Sequence, residues 1–225
     1  MKCNHRVLAI LASTTLIACK PNPSESEESA WRDSFESRCA ALQAHELTGG
    51  KIVSAELVPA GTVPIFGGSS PVPMHCRVQA RLNERTGIDG KPYAIGMELR
   101  LPESWNRRFL FQGGGGTDGE LRPAIGATAV GDAPNALSLG YAVVSTDAGH
   151  LNEPGPLGPY QFGADPQARI DYGYNHLPVV TLAARGLIEQ MYGNGPARSY
   201  FVGCSNVGRQ GMMASQRFPE LFDAI

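Results

Sequence analysis

The run Tyr200-Phe201-Val202-Gly203-Cys204-Ser205-Asn206-Val207-Gly208-Arg209-Gln210-Gly211 predicts a strand, a sharp turn and a helix in immediate succession. The strand is read over 199–203 and the helix over 207–217, so the chain must reverse between Cys204 and Asn206. Gly203 lets the two backbones pass closely and leaves Ser205 at the tip of the turn. Such a unit needs a sheet beneath the strand and room for the helix to pack back onto it.

The upstream sequence supplies both. The segment 177–192 is read as a helix with Val179, Leu182, Ala183, Leu187, Ile188 and Met191 on its apolar surface, Pro178 in its first turn, and Gly193 and Gly195 as its stop. Tyr141-Ala142-Val143-Val144 reads as a buried parallel strand, and Arg108-Phe109-Leu110-Phe111 as another that ends at a run of four glycines, 113–116. This alternation predicts an α/β fold, a doubly wound sheet with right-handed crossovers. Segments 76–82 and 93–99 alternate as half-buried strands, paired antiparallel at one edge of the sheet. A further strand is read over 52–57, a loop rich in Gly, Pro and Ser over 60–73, and a helix over 31–47 with Phe35, Cys39, Leu42 and Leu47 on one face. A chain of 225 residues suffices for one sizeable core, and neither a repeat nor a second boundary interrupts it.

A formal net charge of −2, with no run of Lys and Arg, excludes a nucleic-acid track. At the N-terminus, Lys2 and Arg6 precede an apolar stretch over 7–17 that is too short to span a bilayer. It ends in Leu16-Ile17-Ala18-Cys19, which resembles the lipobox of bacterial lipoproteins. That resemblance implies a signal peptide over 1–18, lipidation of Cys19, a flexible acidic tether through 34, and a folded region over 35–225 in the cell envelope; the alternative is an ordinary signal peptide and a secreted protein. Removal of Cys3 and acylation of Cys19 leave Cys39, Cys76 and Cys204 in an oxidising compartment. Cys39 and Cys76 lie near the start of the folded region and are candidate mates. Cys204 is then a buried free thiol or a half-cystine whose partner is not in these residues.

A serine hydroxyl attacks an acyl carbon only when geometry and a base activate it, and the developing oxyanion needs amide donors. Ser205 is the candidate nucleophile, against the alternative of a serine that merely caps the helix. The amide of Asn206 is one candidate oxyanion donor, and that of Gly114 or Gly115 the other. A phosphate-binding role for the glycine run is disfavoured by Asp118 and by the lack of a following Gly-Lys-Ser/Thr. Val207 stands where the usual Gly-x-Ser-x-Gly pattern has glycine; its β-branched side chain either presses on the preceding strand, or demands a disfavoured φ/ψ, or is accommodated by a small neighbour.

Gly203 to Met212, the following Gln216-Arg217-Phe218-Pro219-Glu220-Leu221-Phe222-Asp223-Ala224-Ile225, His75-Cys76-Arg77-Val78, Trp105-Asn106-Arg107-Arg108-Phe109, Gln112 to Gly116, Ser145-Thr146-Asp147-Ala148-Gly149-His150 and Asp171-Tyr172-Gly173-Tyr174 occur in family order. Together they resemble the tannase and feruloyl esterase family. The resemblance implies the N-terminal portion of an α/β-hydrolase core, with a lid domain and the C-terminal part beyond this chain and a calcium ion possible in the lid. It implies hydrolysis of small aromatic, phenolic esters. Ser205 maps to the nucleophile, and Cys204 to a half-cystine joined to a cysteine beside the catalytic histidine. The catalytic Asp and His map beyond residue 225, so these residues alone are expected to be poorly stable and without useful turnover. Asp147, His150 and Asp171 map to structural or pocket-lining positions. The rival readings are a non-catalytic surface-binding lipoprotein on the same scaffold and an amidase or peptidase.

Overall fold

The computed structural model describes residues 34–65, 68–126 and 134–225. The signal segment, Cys19 and, apart from Ser34, the tether lie outside these residues. Helix α1, residues 34–41, buries Phe35 and Cys39, and a following 3-10 turn, Leu42–Ala44, adds Leu42 to the same face. The helix does not reach Leu47. That residue instead bridges to Gly50 and packs half-buried against the core.

The main sheet contains β1 (Gly50–Val58), β4 (His75–Thr86), β5 (Pro92–Pro102), β6 (Arg108–Gln112), β7 (Ala142–Thr146) and β8 (Arg198–Val202), in the order β1-β4-β5-β7-β6-β8. β1, β4, β5 and β7 pair antiparallel in succession, whereas β7, β6 and β8 run parallel. The sheet is therefore mixed, with the expected crossover unit confined to its parallel half. On β4 the buried positions alternate as Cys76, Val78, Ala80 and Leu82, the period of a strand with one core face. Cys39 and Cys76 form a disulfide that ties α1 to the start of β4.

Side-chain parity separates two cores. Phe109, Phe111, Ala142 and Val144 point into the larger one with α1, α3 (His176–Tyr192) and α4 (Asn206–Arg217), while Leu110 and Val143 point into the smaller one. The segment 60–73, expected as loop, supplies the cover of the smaller core. It forms a separate antiparallel hairpin, β2 (Gly61–Ile65) and β3 (Gly68–Val72), whose Val63 and Val72 pack with Leu110 and Val143. Its prolines and glycines are tolerated because these strands pair only with each other. Helices α1, α3 and α4 share one face, and the short α2 (Pro166–Ile170) packs its Ala168 in a separate cluster with Tyr93 and Phe162, so the doubly wound arrangement is incomplete among the described residues.

Helix α3 also differs from its predicted face. Leu177, Val180, Ala184, Leu187, Ile188 and Met191 are buried together with His176 and Thr181, but Leu182 is 61% exposed. The polar His176 and Thr181 point inward, so hydrophobicity alone misplaces the stripe. Gly193, at φ 75°, ends the helix as predicted.

Candidate active site

Strand β6 has β7 on one side and β8 on the other. The chain leaves β6 towards β7, whereas after β8 and α4 it returns to the free edge of β8, where Tyr200 bridges in parallel to Ala224. The connections thus diverge between β6 and β8, the kind of crevice at which open α/β sheets bind ligands. The glycine run follows β6 and Ser205 follows β8, so the topology brings both to that crevice.

Each parallel strand is followed by a loop with a non-glycine residue at positive φ: Asp118 (56°) after β6, Ala148 (58°) after β7 and Ser205 (60°) after β8. Such backbone costs about 1–3 kcal/mol per residue and persists only where its surroundings enforce it. Ser205 adopts ψ −125°, is exposed, and makes no side-chain capping bond to α4. The hydroxyl is therefore not used as a helix cap. The turn is closed by backbone bonds instead, with Val207 N donating to Cys204 O at 3.1 Å and Gly208 N donating to Ser205 O at 2.9 Å. Cys204 beside it is a free, exposed thiol, not the buried one considered from the sequence.

Val207 is fully buried and does not displace the strand. A Cβ on either Gly113 or Gly203 would overlap its side chain, so the space that a glycine at position 207 would leave is taken by valine against two glycines. Gly113 N also donates to Val202 O at 3.0 Å, joining the glycine run to the end of β8. The far end of this loop is held by Gln112, which donates to Pro123 O at 3.1 Å and accepts from Gly126 N at 2.6 Å, and by Glu98, which accepts from Ala124 N at 3.1 Å.

The loop touches α4 through Asp118. Its Oδ2 accepts from Asn206 Nδ2 and from Gln210 Nε2, both at 2.8 Å, with Arg209 Nη2 at 3.7 Å. Burial pushes the Asp118 carboxyl above the ordinary carboxylate range, against the Arg209 charge, the Asn206 and Gln210 bonds and the nearby Gly115 amide. Asn206 Oδ1 in turn accepts from Tyr172 Oη and from Arg209 Nε, each at 3.1 Å. The Arg209 guanidinium lies 4.3 Å over the Tyr172 ring and donates to the Tyr172 and Gly173 carbonyls. Of these residues the sequence marks only Asn206 as a site candidate; it marks Asp118 only as an obstacle to phosphate.

Asp147 and His150 do not join Ser205 in a hydrogen-bonded relay. Asp147 Oδ1 accepts from Gly96 N and Gly149 N, both at 2.9 Å, and burial raises its pKa to about 7. His150 is stacked on Phe162 at 3.8 Å and edge-on to Tyr172 at 5.5 Å. Neither of its nitrogens has a well-aligned partner, and burial lowers its pKa to about 4, partly opposed by Thr117 and Ala148 backbone. Asp171 accepts from Gln167 and Asn175 side chains, a role in shaping the chain ahead of α3. No hydrogen bond joins Ser205 to a histidine among the described residues. Nor, among them, does any group of three or more His, Cys, Asp or Glu side chains converge to hold a metal ion.

Residues 76–225 match the family model described as tannase and feruloyl esterase. The mono(2-hydroxyethyl) terephthalate hydrolase of Piscinibacter sakaiensis is 46% identical over 166 residues, covering 72% of this chain and 28% of that protein. A probable feruloyl esterase B-1 of Aspergillus fumigatus is 33% identical over 202 residues, covering 85% of this chain and 36% of that protein. The crystal structure of feruloyl esterase B from Aspergillus oryzae superposes with a TM-score of 0.68 at 28% identity, over 84% of this chain and 36% of that one. The chain thus spans roughly a third of the length of such relatives, from 28% to 36%. With a mixed sheet of α/β-hydrolase type and a family match that runs from β4 through α4, the chain belongs to the tannase and feruloyl esterase family.

Proposed function

We propose that this chain carries the nucleophile half of a serine carboxylic ester hydrolase acting on esters of aromatic, phenolic acids. The observation that carries the reading is Ser205 at φ 60°, exposed between β8 and α4 and facing a glycine run across the β6–β8 crevice. In this reaction Ser205 Oγ attacks the acyl carbon as its proton passes to a base. The tetrahedral oxyanion is met by the amide of Asn206 and by that of Gly114 or Gly115. Collapse expels the alcohol, and water then releases the aromatic acid.

The family resemblance assigns the base and its orienter, a His and an Asp, to residues outside these 225, and this reading is supported by the chain's spanning 28% to 36% of its relatives' length. The exposed Cys204 thiol next to Ser205 supports a disulfide to a cysteine beside that histidine. The aromatic substrate class is supported by the names of the relatives, a terephthalate monoester hydrolase and feruloyl esterases. Export is supported by the leader ending in Ala18-Cys19 and by the Cys39–Cys76 disulfide, which suits an oxidising compartment.

A fluorophosphonate probe on the full-length protein tests the mechanism. Wild type is expected to label at Ser205 and to hydrolyse phenolic esters well ahead of the matched amides. Ser205→Ala is expected to lose labelling and about 10⁴-fold or more in turnover. A wild type that neither labels nor hydrolyses these esters would leave only a binding scaffold.

A further inference from the structure

We infer that Asp118 is a positioning residue, which sets the spacing between the two oxyanion donors by bonding the glycine loop to the first turns of the nucleophile helix. The inference rests on the esterase reading above. On the helix side, Asn206 and Gln210 stand one turn apart and present their amides to a single oxygen, Asp118 Oδ2, both at 2.8 Å. Asn206 is also the residue whose backbone amide would meet the oxyanion. On the loop side, Asp118 N donates to Gly115 O at 2.9 Å, closing a turn over 115–118 at φ 56°. A Cβ on Gly114 would overlap Asp118 Oδ1, so the Gly114 backbone rests directly on the carboxylate. One rigid planar group therefore touches both walls of the pocket. These partners are 88 and 92 residues away in sequence, and no other side-chain hydrogen bond joins residues 113–119 to α4 among the described residues.

The chemistry argues for position over charge. A carboxylate near a developing oxyanion opposes it electrostatically, so a purely electrostatic account predicts faster turnover when the charge is removed. Positioning predicts the reverse, because an oxyanion donor displaced by a fraction of an ångström loses most of its value. Asparagine can still offer one carbonyl oxygen to both amide donors, without charge assistance. Alanine offers nothing.

The test compares full-length Asp118→Ala, Asp118→Asn and Gln210→Leu with wild type, with turnover normalised to the serines titrated by fluorophosphonate. For Asp118→Ala we expect kcat to fall by roughly 10²–10³-fold with KM within about threefold, as for loss of an oxyanion donor. Asp118→Asn should recover at least about tenfold of that loss, and Gln210→Leu should lose about five- to tenfold. An aryl boronic acid, which mimics the tetrahedral state, should weaken in parallel with kcat/KM, while the affinity for the free aromatic acid stays unchanged. If Asp118→Ala fails to fold, the other two variants decide on the same terms. Turnover per titrated serine within twofold of wild type, or equal weakening of boronate and aromatic acid, would overturn the inference. Either result would leave the esterase reading intact, since that reading stands or falls with wild-type labelling and Ser205→Ala.

Discussion

In the antiparallel half of the sheet, buried polar groups are paired, and a covalent bond reinforces them. Glu98 binds Arg100 at 2.7 Å and Gln79 at 3.1 Å, and His75 binds Pro73 O at 2.7 Å and Arg100 at 3.3 Å. The Cys39–Cys76 disulfide lies at the same end, since Cys76 pairs with Leu101 near the close of β5. Only Arg77 Nε among the buried side-chain polar atoms of β1, β4 and β5 is left without a partner, among the described residues. At the opposite end, where the parallel strands finish, Asp118 Oδ1, both His150 nitrogens, His176 Nε2, Arg209 Nη2 and Gln210 Oε1 are buried without well-aligned partners. Of the five non-glycine residues at positive φ among the described residues, Asp118, Ala148 and Ser205 lie there too, whereas Asn83 sits at the irregularity in β4 and Arg107 precedes β6. Satisfied bonds make a frame stiff, and strained or unsatisfied groups survive only where such a frame holds them. The antiparallel half thus supplies stability that the parallel half spends on geometry.

The sharpest way to separate the halves is to weaken the first alone. Replacing both Cys39 and Cys76 by Ala removes a link across a sequence separation of 37 residues. Chain entropy puts its contribution at about 4 kcal/mol. We expect a lower denaturant midpoint by that measure, with the rate of fluorophosphonate labelling per folded molecule unchanged within twofold. A labelling rate that falls with stability would show that the two ends are not separable. The converse change is Gly113→Ala, whose new Cβ would overlap buried Val207. Overpacking against the stiff, fully buried Val207 side chain should cost about 2–3 kcal/mol. Labelling should slow by about 100-fold, since the glycine loop and the serine turn are forced apart. Adding Val207→Gly should restore most of both losses. A double variant no better than Gly113→Ala would refute the paired fit of Gly113, Gly203 and Val207.

That paired fit also shows what a sequence can carry. Strands β4 and β8 are legible because they bury alternate side chains, β6 and β7 because they are short continuous apolar runs, and α4 because it follows the serine turn without a break. At Val207 the local pattern leaves strain and a small neighbour as alternatives, because the compensating Gly113 comes from another strand end. Asp118 was missed for the same reason: its partners lie far along the chain, and a lone Asp in a Thr-Asp-Gly turn looks like loop chemistry. The hairpin over 61–72 was hidden by Pro64 and Pro71, which signal loop unless a strand has only one neighbour. On α3, Leu182 outweighed Thr181 in any hydrophobic pattern, although the structure buries the threonine. Local periodicity thus revealed the frame, and contacts between distant strand ends built the site.

The smallest effect concerns protons, and it too falls mainly on the parallel half. Burial lowers His75, His150 and His176 to about 4 from 6.5. Their stabilising contribution is therefore complete above pH 6.5 and is lost as pH falls through 4. Burial raises Asp147 from 3.8 to about 7, so its contribution is complete below 3.8 and is lost as pH rises through 7; Asp118 is shifted in the same direction. Between these limits the three histidines take up more protons on unfolding than the two carboxylates release. Stability should rise from pH 4 to about 6.5, by roughly 1.4 kcal/mol per pH unit for each net proton, and then level off through 7, where the histidine and Asp147 contributions nearly cancel. Asp147→Asn keeps an oxygen for Gly96 N and Gly149 N but removes the opposing titration. Urea midpoints measured from pH 4.5 to 8 should then rise more steeply with pH and continue to rise through 7. An unchanged slope would mean that Asp147 is already ionised in the folded protein, with those two amides outweighing its burial.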